Sequence, residues 1–132
     1  MPIIMTIGIL CAIPEETKAF GSGLNILSTQ RVGDNAFHSG KLYGVDMTLV
    51  ECGIGKVNAA FATTILCDHF KCSSLIFSGI AGGIDPELQV GDVVIADRLL
   101  QVDYGRFQDG AVIPFRAGNV PFGAAVGAIG YV

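Results

Sequence analysis

The stretch LIFSGIAGG, residues 75–83, carries an apolar run directly into a loop that has three glycines and no charge. The run belongs to a predicted strand, residues 73–78, of the kind that a sheet buries on both faces. Two other segments have the same design: residues 3–12 lead into Pro14, and residues 45–52 lead into the loop GIGK, residues 53–56. We therefore predict three strands that each end in a short loop.

The spacing of apolar residues predicts the remaining elements. Pro14 suits the first position of a helix, and the GSG at residues 21–23 ends that helix. Residues 24–32, 36–42 and 45–52 are predicted strands of a hairpin or meander, and residues 93–97 are a further predicted buried strand. Residues 56–70 are a predicted amphipathic helix, whose shared face we assign to Val57, Ala60, Phe61, Thr64 and Ile65. Together they indicate one α/β domain over residues 1–132, with a mixed central sheet and helices outside it.

The composition argues against several classes of function. The net charge is −4 and the eight basic residues are scattered singly, so we expect no nucleic-acid partner and no membrane partner. No apolar run reaches the ~18 residues of a membrane span, and no basic segment precedes the apolar start, which favours a cytoplasmic location. The four cysteines form no C-x-x-C pair, which favours buried free thiols over a metal or redox site. The hydrophobic share of 51% predicts burial against a further surface.

Two adjacent carboxylates open the first predicted helix. In α/β sheets, ligands bind beyond the carboxyl ends of the strands, where the strand order reverses. Glu15 and Glu16 lie about 100° apart around a helix, and Glu16 shares its face with Phe20 whereas Glu15 lies near Lys18. This phase turns Glu16 toward the crevice. The alternative is that both carboxylates only complement the positive end of the helix dipole.

The loop GIGK, residues 53–56, is a candidate phosphate loop by composition. It lacks the G-x-x-x-x-G-K-[ST] spacing, and Val57 stands where the metal-binding hydroxyl would be, which argues against a nucleoside triphosphate site. Two interpretations stay open for this loop. Its exposed amides could bind an anion or approach a flat ligand, or its glycines could allow close packing of helix on sheet.

Three motifs in register make the sequence resemble a known family. IGILCAIPEE (residues 7–16), ECGIGKVNAA (51–60) and SGIAGGIDPELQVGDVVIAD (78–97) are similar to the N-terminal half of the purine nucleosidase and phosphorylase superfamily. Within it they most resemble the 5'-methylthioadenosine/S-adenosylhomocysteine nucleosidases. The resemblance implies a three-layer α/β/α fold of the nucleoside phosphorylase type, incomplete in this chain. It also implies a homodimer without a cofactor or metal that hydrolyses the N-glycosidic bond of a purine thionucleoside.

The resemblance also implies roles for individual residues. Glu16 matches the family glutamate that positions and deprotonates the attacking water. Ala81 and Gly82 match backbone that lines the purine and the ribose, and Ile54 matches an apolar contact to the alkylthio group. Ile80 belongs to the same substrate-binding loop, at a position where the family often has a small hydroxyl residue.

The sequence departs from the family pattern in two further respects. Val102 stands before Asp103 where a histidine is common. The second half of the family carries a glutamate that binds the ribose hydroxyls and an aspartate that protonates the purine, and the resemblance places both outside residues 1–132. The final stretch, VPFGAAVGAIGYV, is predicted to belong to a sheet that continues.

Two alternatives to a nucleosidase remain. A phosphorylase would bind phosphate and should have an arginine near the glycine loop, but residues 78–85 contain none. A non-catalytic chain would be a truncated module for nucleoside binding or oligomerisation.

Overall fold

The computed structural model of the protein describes residues 6–115. The chain divides into two compact units, Met1–Gly82 and Gly83–Val132. The first unit contains, in chain order, β1 (Ile7–Cys11), α1 (Pro14–Lys18), a 3-10 turn (Gly21–Gly23), β2 (Leu24–Val32), β3 (Asn35–Leu42), β4 (Val45–Glu51), α2 (Lys56–Asp68) and β5 (Ser74–Phe77). The second contains β6 (Gly105–Gln108) and β7 (Ala111–Pro114).

The predicted strands of the first unit are confirmed, and they form one mixed sheet. The burial predicted for the strand at residues 73–78 is wrong, because all four residues of β5 are exposed at the end of the sheet. The strand order is β2-β3-β4-β1-β5. Strands β2, β3 and β4 are antiparallel neighbours, whereas β1 is parallel to both β4 and β5. Four predicted strands end within one residue of the observed bounds; of the predicted strand at residues 3–12, residues 3–5 lie outside the described part of the chain.

A two-residue turn explains the tight β3–β4 hairpin. Leu42 pairs with Val45, so Tyr43 and Gly44 alone make the connection. Both have positive φ, 47° and 85°. This is the conformation of a type I′ turn, whose twist matches that of the flanking strands.

Each face of the central strands packs on its own apolar cluster. One cluster contains Leu10, Phe37, Val50, Cys52, Ala62, Leu66 and Cys72. The other contains Ile9, Cys11, Met47 and Leu49. Successive residues of β1 and β4 alternate between the two clusters, as side chains of a strand must. Burial on both faces explains the continuous apolar run of β1.

The face predicted for α2 is not the side that the sheet buries most deeply, although Ile65 of that face packs against the first cluster. The helix itself is confirmed over Lys56–Asp68, but its fully buried residues are Ala62 and Leu66. Of the predicted face, Val57 is 83% exposed and Phe61 43% exposed. The physical reason is that α2 is apolar on both sides, so hydrophobic spacing alone does not determine which side meets the sheet.

The strand predicted at residues 93–97 is also wrong. Val93, Val94 and Ile95 lie in irregular backbone and are largely exposed. Their β-branched composition favours a strand, but within the described residues no neighbouring strand pairs with them. The second unit instead forms a hairpin, β6–β7, that we did not predict. Asp109 and Gly110 connect it with φ values of 53° and 80°, the DG signal of a type I′ turn.

No helix within residues 6–115 combines the length and the apolar composition that crossing a membrane requires.

Candidate active site

Three loops leave the same edge of the sheet, as predicted. Cys11 pairs with Glu51, and Leu10 pairs with Phe77, so the parallel strands β1, β4 and β5 end level with one another. The next residues continue the ladder: the Cys52 N–H donates to the Cys11 carbonyl at 2.8 Å, and the Ser78 N–H donates to the Leu10 carbonyl at 2.9 Å. The chain from β4 through α2 to β5 crosses β1, against which α2 packs. The edge is therefore a place where the strand order reverses, the usual location of a ligand in such sheets.

Glu16 joins two of these loops. Helix α1 begins after Ile13, whose side chain has no oxygen with which to cap the free N–H groups. The Glu16 carboxylate instead binds the backbone that precedes the helix: Oε2 accepts the N–H of Ala12 at 2.7 Å and that of Ile13 at 3.3 Å. Its other oxygen, Oε1, accepts the N–H of Ile80 at 3.0 Å, from the loop after β5. The prediction that Glu16 faces the crevice while Glu15 is solvated agrees with this arrangement, because Glu15 is exposed.

The backbone donors keep Glu16 ionised. The N–H of Ile80 lowers the pKa of the Glu16 carboxyl most, followed by that of Ala12, and the N–H of Ile13 adds a smaller effect in the same direction. Partial desolvation opposes them without reversing the result. Donors to the charged form stabilise it, so the pKa lies below its ordinary value of 4.5 and the group is an anion at neutral pH.

Two buried thiols lie beside this carboxylate. Burial, together with a smaller effect of the Glu16 charge, raises the pKa of Cys11 to about 11. Burial likewise raises the pKa of Cys52, with Glu16 again contributing. Both thiols therefore stay protonated at neutral pH, and Glu16 carries the negative charge. The prediction of buried thiols is confirmed for these two and for Cys72, but Cys67 on α2 is exposed.

The loop after β4 has the tight geometry that its glycines predict. Gly53 and Gly55 have φ values of 81° and 114°, a region that favours glycine over other residues. The side-chain amide of Asn58 donates to the Ile54 carbonyl at 2.9 Å and holds the loop on the first turn of α2. Sequence reasoning did not identify Asn58; its position three residues after Gly55, at a helix start, was the available signal.

The predicted substrate-binding residues lie on the loops of the same edge. Ile54 follows β4, and its side chain is 78% exposed; Ile80 follows β5, and its side chain is 83% exposed. Ala81 and Gly82 are exposed as well. A Cβ placed on Gly82 would meet nothing within 4 Å, so this backbone is open to a ligand. The contact that Ile80 makes with Glu16 uses its backbone and not its side chain.

Within residues 6–115, no group of three or more His, Cys, Asp or Glu side chains is arranged to hold a metal ion.

The described residues form an α/β domain with a candidate ligand site at the carboxyl edge of its parallel strands, where two loops hold one ionised carboxylate. Residues 6–126 match the Phosphorylase superfamily, and the chain belongs to this family.

Two similar proteins carry the name of a nucleosidase. The chain is 40% identical over 127 residues to the 5'-methylthioadenosine/S-adenosylhomocysteine nucleosidase of Mycobacterium bovis, covering 96% of this chain and 50% of the relative. It is 43% identical over 99 residues to the enzyme of the same name from Listeria innocua, covering 75% and 42% of the two chains. The chain thus spans about half the length of the curated relatives it matches.

Solved structures of similar proteins share the fold. S-adenosylhomocysteine nucleosidase from Streptococcus pyogenes, in complex with 5-methylthiotubericidin, superposes with a TM-score of 0.77 at 34% identity, covering 88% of this chain and 49% of that one. The nucleosidase from S. pneumoniae with the transition-state inhibitor MT-ImmA gives a TM-score of 0.70 at 43% identity, covering 75% and 43%. The prediction of a nucleoside phosphorylase-like α/β fold is confirmed by these comparisons.

Proposed function

We propose that this chain carries the water-activating half of a nucleosidase site that hydrolyses the N-glycosidic bond of a purine thionucleoside. The observation that carries the proposal is the Glu16 carboxylate, held ionised by two loops at the ligand edge of the sheet. The names of the relatives, which are methylthioadenosine and adenosylhomocysteine nucleosidases, support the substrate class.

The hydrogen bonds of Glu16 indicate which oxygen would hold the water. Each carboxylate oxygen accepts about two donors. Oε2 already accepts the N–H groups of Ala12 and Ile13, whereas Oε1 accepts that of Ile80. Oε1 therefore has the lone pair that a water O–H can use, and it lies on the side of the loop that we assign to the substrate.

The lowered pKa determines what Glu16 contributes to the reaction. A carboxylate stabilised by three backbone donors is a weak base, so it does not deprotonate a free water in the ground state. Departure of the purine leaves an oxocarbenium-like sugar, and a water that bonds to this sugar becomes acidic. Glu16 would orient that water first and accept its proton late, after the glycosidic bond has largely broken.

The loop residues suit the rest of the substrate. Ala81 and Gly82 offer open backbone that a flat base and a ribose can approach closely. The exposed side chain of Ile54 provides an apolar surface for an alkylthio group. Ile80 contributes its N–H to Glu16, and its side chain replaces the hydroxyl that the family often has there.

A homodimer in the cytoplasm belongs to the same proposal. The outer face of α2 supports the dimer, because Val57 and Phe61 are large apolar residues that a partner would cover. Sedimentation of the purified chain over a range of concentrations tests it. A monomer at every concentration would contradict the dimer.

The activity is tested by release of adenine from 5'-methylthioadenosine. In a form that also supplies the second half of the site, we expect release of adenine and a free thiopentose, loss of that release in Glu16→Gln, and unchanged release in Glu15→Gln. Glu15 is the matched control, because it is the adjacent, exposed glutamate of the same helix. Equal activity of the Glu16→Gln variant and the unchanged chain would remove Glu16 from the mechanism.

The same assay distinguishes the alternatives. A phosphorylase would require phosphate and yield a sugar phosphate in place of the free sugar. A non-catalytic module would bind methylthioadenosine, measured by calorimetry, and release no adenine. Either result would contradict hydrolysis by this chain.

A further inference from the structure

We propose that Gly79 is a positioning residue, whose missing side chain lets the Glu16 carboxylate reach the Ile80 N–H and so span two loops. The proposal concerns the site described above. Its spectroscopic test is independent of the proposed function, and only its kinetic test rests on that function.

The space beside Gly79 is filled by the carboxylate. A Cβ placed on Gly79 would lie 2.5 Å from Glu16 Oε1, 2.9 Å from its Cδ and 3.2 Å from its Oε2. Real Cβ atoms essentially never lie so close to another heavy atom, so any side chain at residue 79 must displace the carboxylate. Glycine at this position is therefore required by the contact between Glu16 and the loop.

The backbone itself does not require glycine at residue 79. The φ of Gly79 lies outside the left-handed region, so an alanine can adopt its conformation without strain. Gly79 is also exposed, and the group it would displace is the end of a flexible side chain. Gly8 differs, because a Cβ there would meet Leu75, Leu66 and Cys72 within the packed part of the unit. We expect Gly79→Ala to leave the fold intact and to change the site.

The displacement should affect one of the two loops. Oε2 is held by Ala12 and Ile13 on the α1 side, and the three atoms nearest to the added methyl group all belong to Glu16. Oε1 is the atom closest to residue 79, and it is also the atom that accepts from Ile80. The carboxylate should thus keep its hydrogen bonds to Ala12 and Ile13 and lose the one to Ile80.

Amide NMR of the chain tests this directly. In the unchanged chain, the amide shifts of Ile80 and Ala12 should both titrate with the Glu16 carboxyl. In Gly79→Ala, the Ile80 titration should be lost, that of Ala12 should persist, and the pKa of Glu16 should rise toward 4.5. Cys11 and Cys52 also face Glu16, but their raised pKa values keep them neutral in this range. Glu51, which acts on Cys11, is assigned separately from its own side-chain signal.

Gly83→Ala is the matched control. A Cβ there would lie 3.5 Å from the Leu88 Cβ and 3.6 Å from its Cδ1, which is ordinary van der Waals contact. It belongs to the same glycine-rich stretch and also has φ outside the left-handed region. We expect the Ile80 titration of this variant to equal that of the unchanged chain. A folded Gly79→Ala variant with an unaltered Ile80 titration would overturn the proposal.

Adding Gly79→Ala to a Glu16→Ala variant distinguishes displacement of the Glu16 carboxylate from damage to the loop itself. In Glu16→Ala no carboxylate is present, so adding Gly79→Ala should change neither the thermal midpoint nor the amide spectrum of the loop further. If Gly79→Ala alone fails to fold and the double variant folds, the contact with Glu16 is the cause, as proposed. If both fail to fold, residue 79 clashes with something other than Glu16 and the proposal is wrong.

The kinetic test follows if the chain is active. Gly79→Ala should lower kcat about 10- to 100-fold, the range expected when a reacting group is misplaced by about 1 Å, with a smaller change in KM. An unchanged kcat together with the lost Ile80 titration would show that the contact positions the carboxylate without serving hydrolysis, and would count against the proposed function alone.

Discussion

Replacing Leu66 by alanine tests the orientation of α2, the element whose sequence pattern gave the wrong face. Leu66 is fully buried and packs with Phe37 and Val50 between α2 and the sheet. The substitution removes three carbons at ~0.8 kcal/mol each, and the cavity left behind brings the loss to about 2–5 kcal/mol of unfolding free energy. A loss of this size is a large part of the ~5–15 kcal/mol that holds a typical domain folded.

Urea unfolding followed by far-ultraviolet circular dichroism measures this loss. With a slope of ~1–3 kcal/mol per molar urea, the midpoint should fall by about 1 M or more. Val57→Ala is the control on the opposite face, where 83% of the side chain is exposed, and its cost should stay within about 0.5 kcal/mol. Measurement at two protein concentrations separates folding from association. A larger cost for Val57→Ala than for Leu66→Ala, independent of concentration, would refute the observed orientation.

Three further predictions concern ionisation, thiol reactivity and the second unit. The folded state lowers the pKa of Glu16, so the stability it contributes is present above pH 4.5 and is lost as the pH falls through the lower folded-state value; the difference in thermal midpoint between the unchanged chain and Glu16→Gln should vanish on acidification. Iodoacetamide should label the exposed Cys67 long before Cys11, whose burial raises its pKa to about 11, and equal labelling rates by mass spectrometry would contradict the packing of β1. Gly110→Ala should weaken the β6–β7 hairpin by ~1–2 kcal/mol, because φ there is 80°, and weaker nuclear Overhauser contacts between β6 and β7 would report it.

Local signals in the sequence were sufficient for the strands of the first unit and for the direction in which Glu16 points. The predicted bounds lay close to the observed strand ends, because burial on both faces favours apolar residues along β1 and over most of β4. Glu16 was predicted to face the crevice from its helical phase relative to Phe20. These inferences depend on residues within one turn or one strand of each other.

Contacts between segments that are far apart in the sequence could not be predicted from these local patterns. The bond between Glu16 and the Ile80 N–H joins residues 64 apart, and no spacing rule connects them. Residues 93–97 had the composition of a strand, but a strand also needs a partner, which composition does not supply. The sequence indicated that Gly79 belongs to a loop with little side-chain bulk. It did not indicate that the space beside Gly79 is filled by Glu16 Oε1, an atom of α1.

The donor that Ile80 offers to Glu16 is a backbone N–H. Nineteen of the twenty amino acids carry that group, and proline is the exception. A substitution at residue 80 can therefore replace the side chain that we propose to contact the ligand while keeping the hydrogen bond to the Glu16 carboxylate. Substrate specificity can therefore change through residue 80 while Glu16 keeps this hydrogen bond. A screen for altered substrate range should recover active variants with many different residues at position 80, but none with proline.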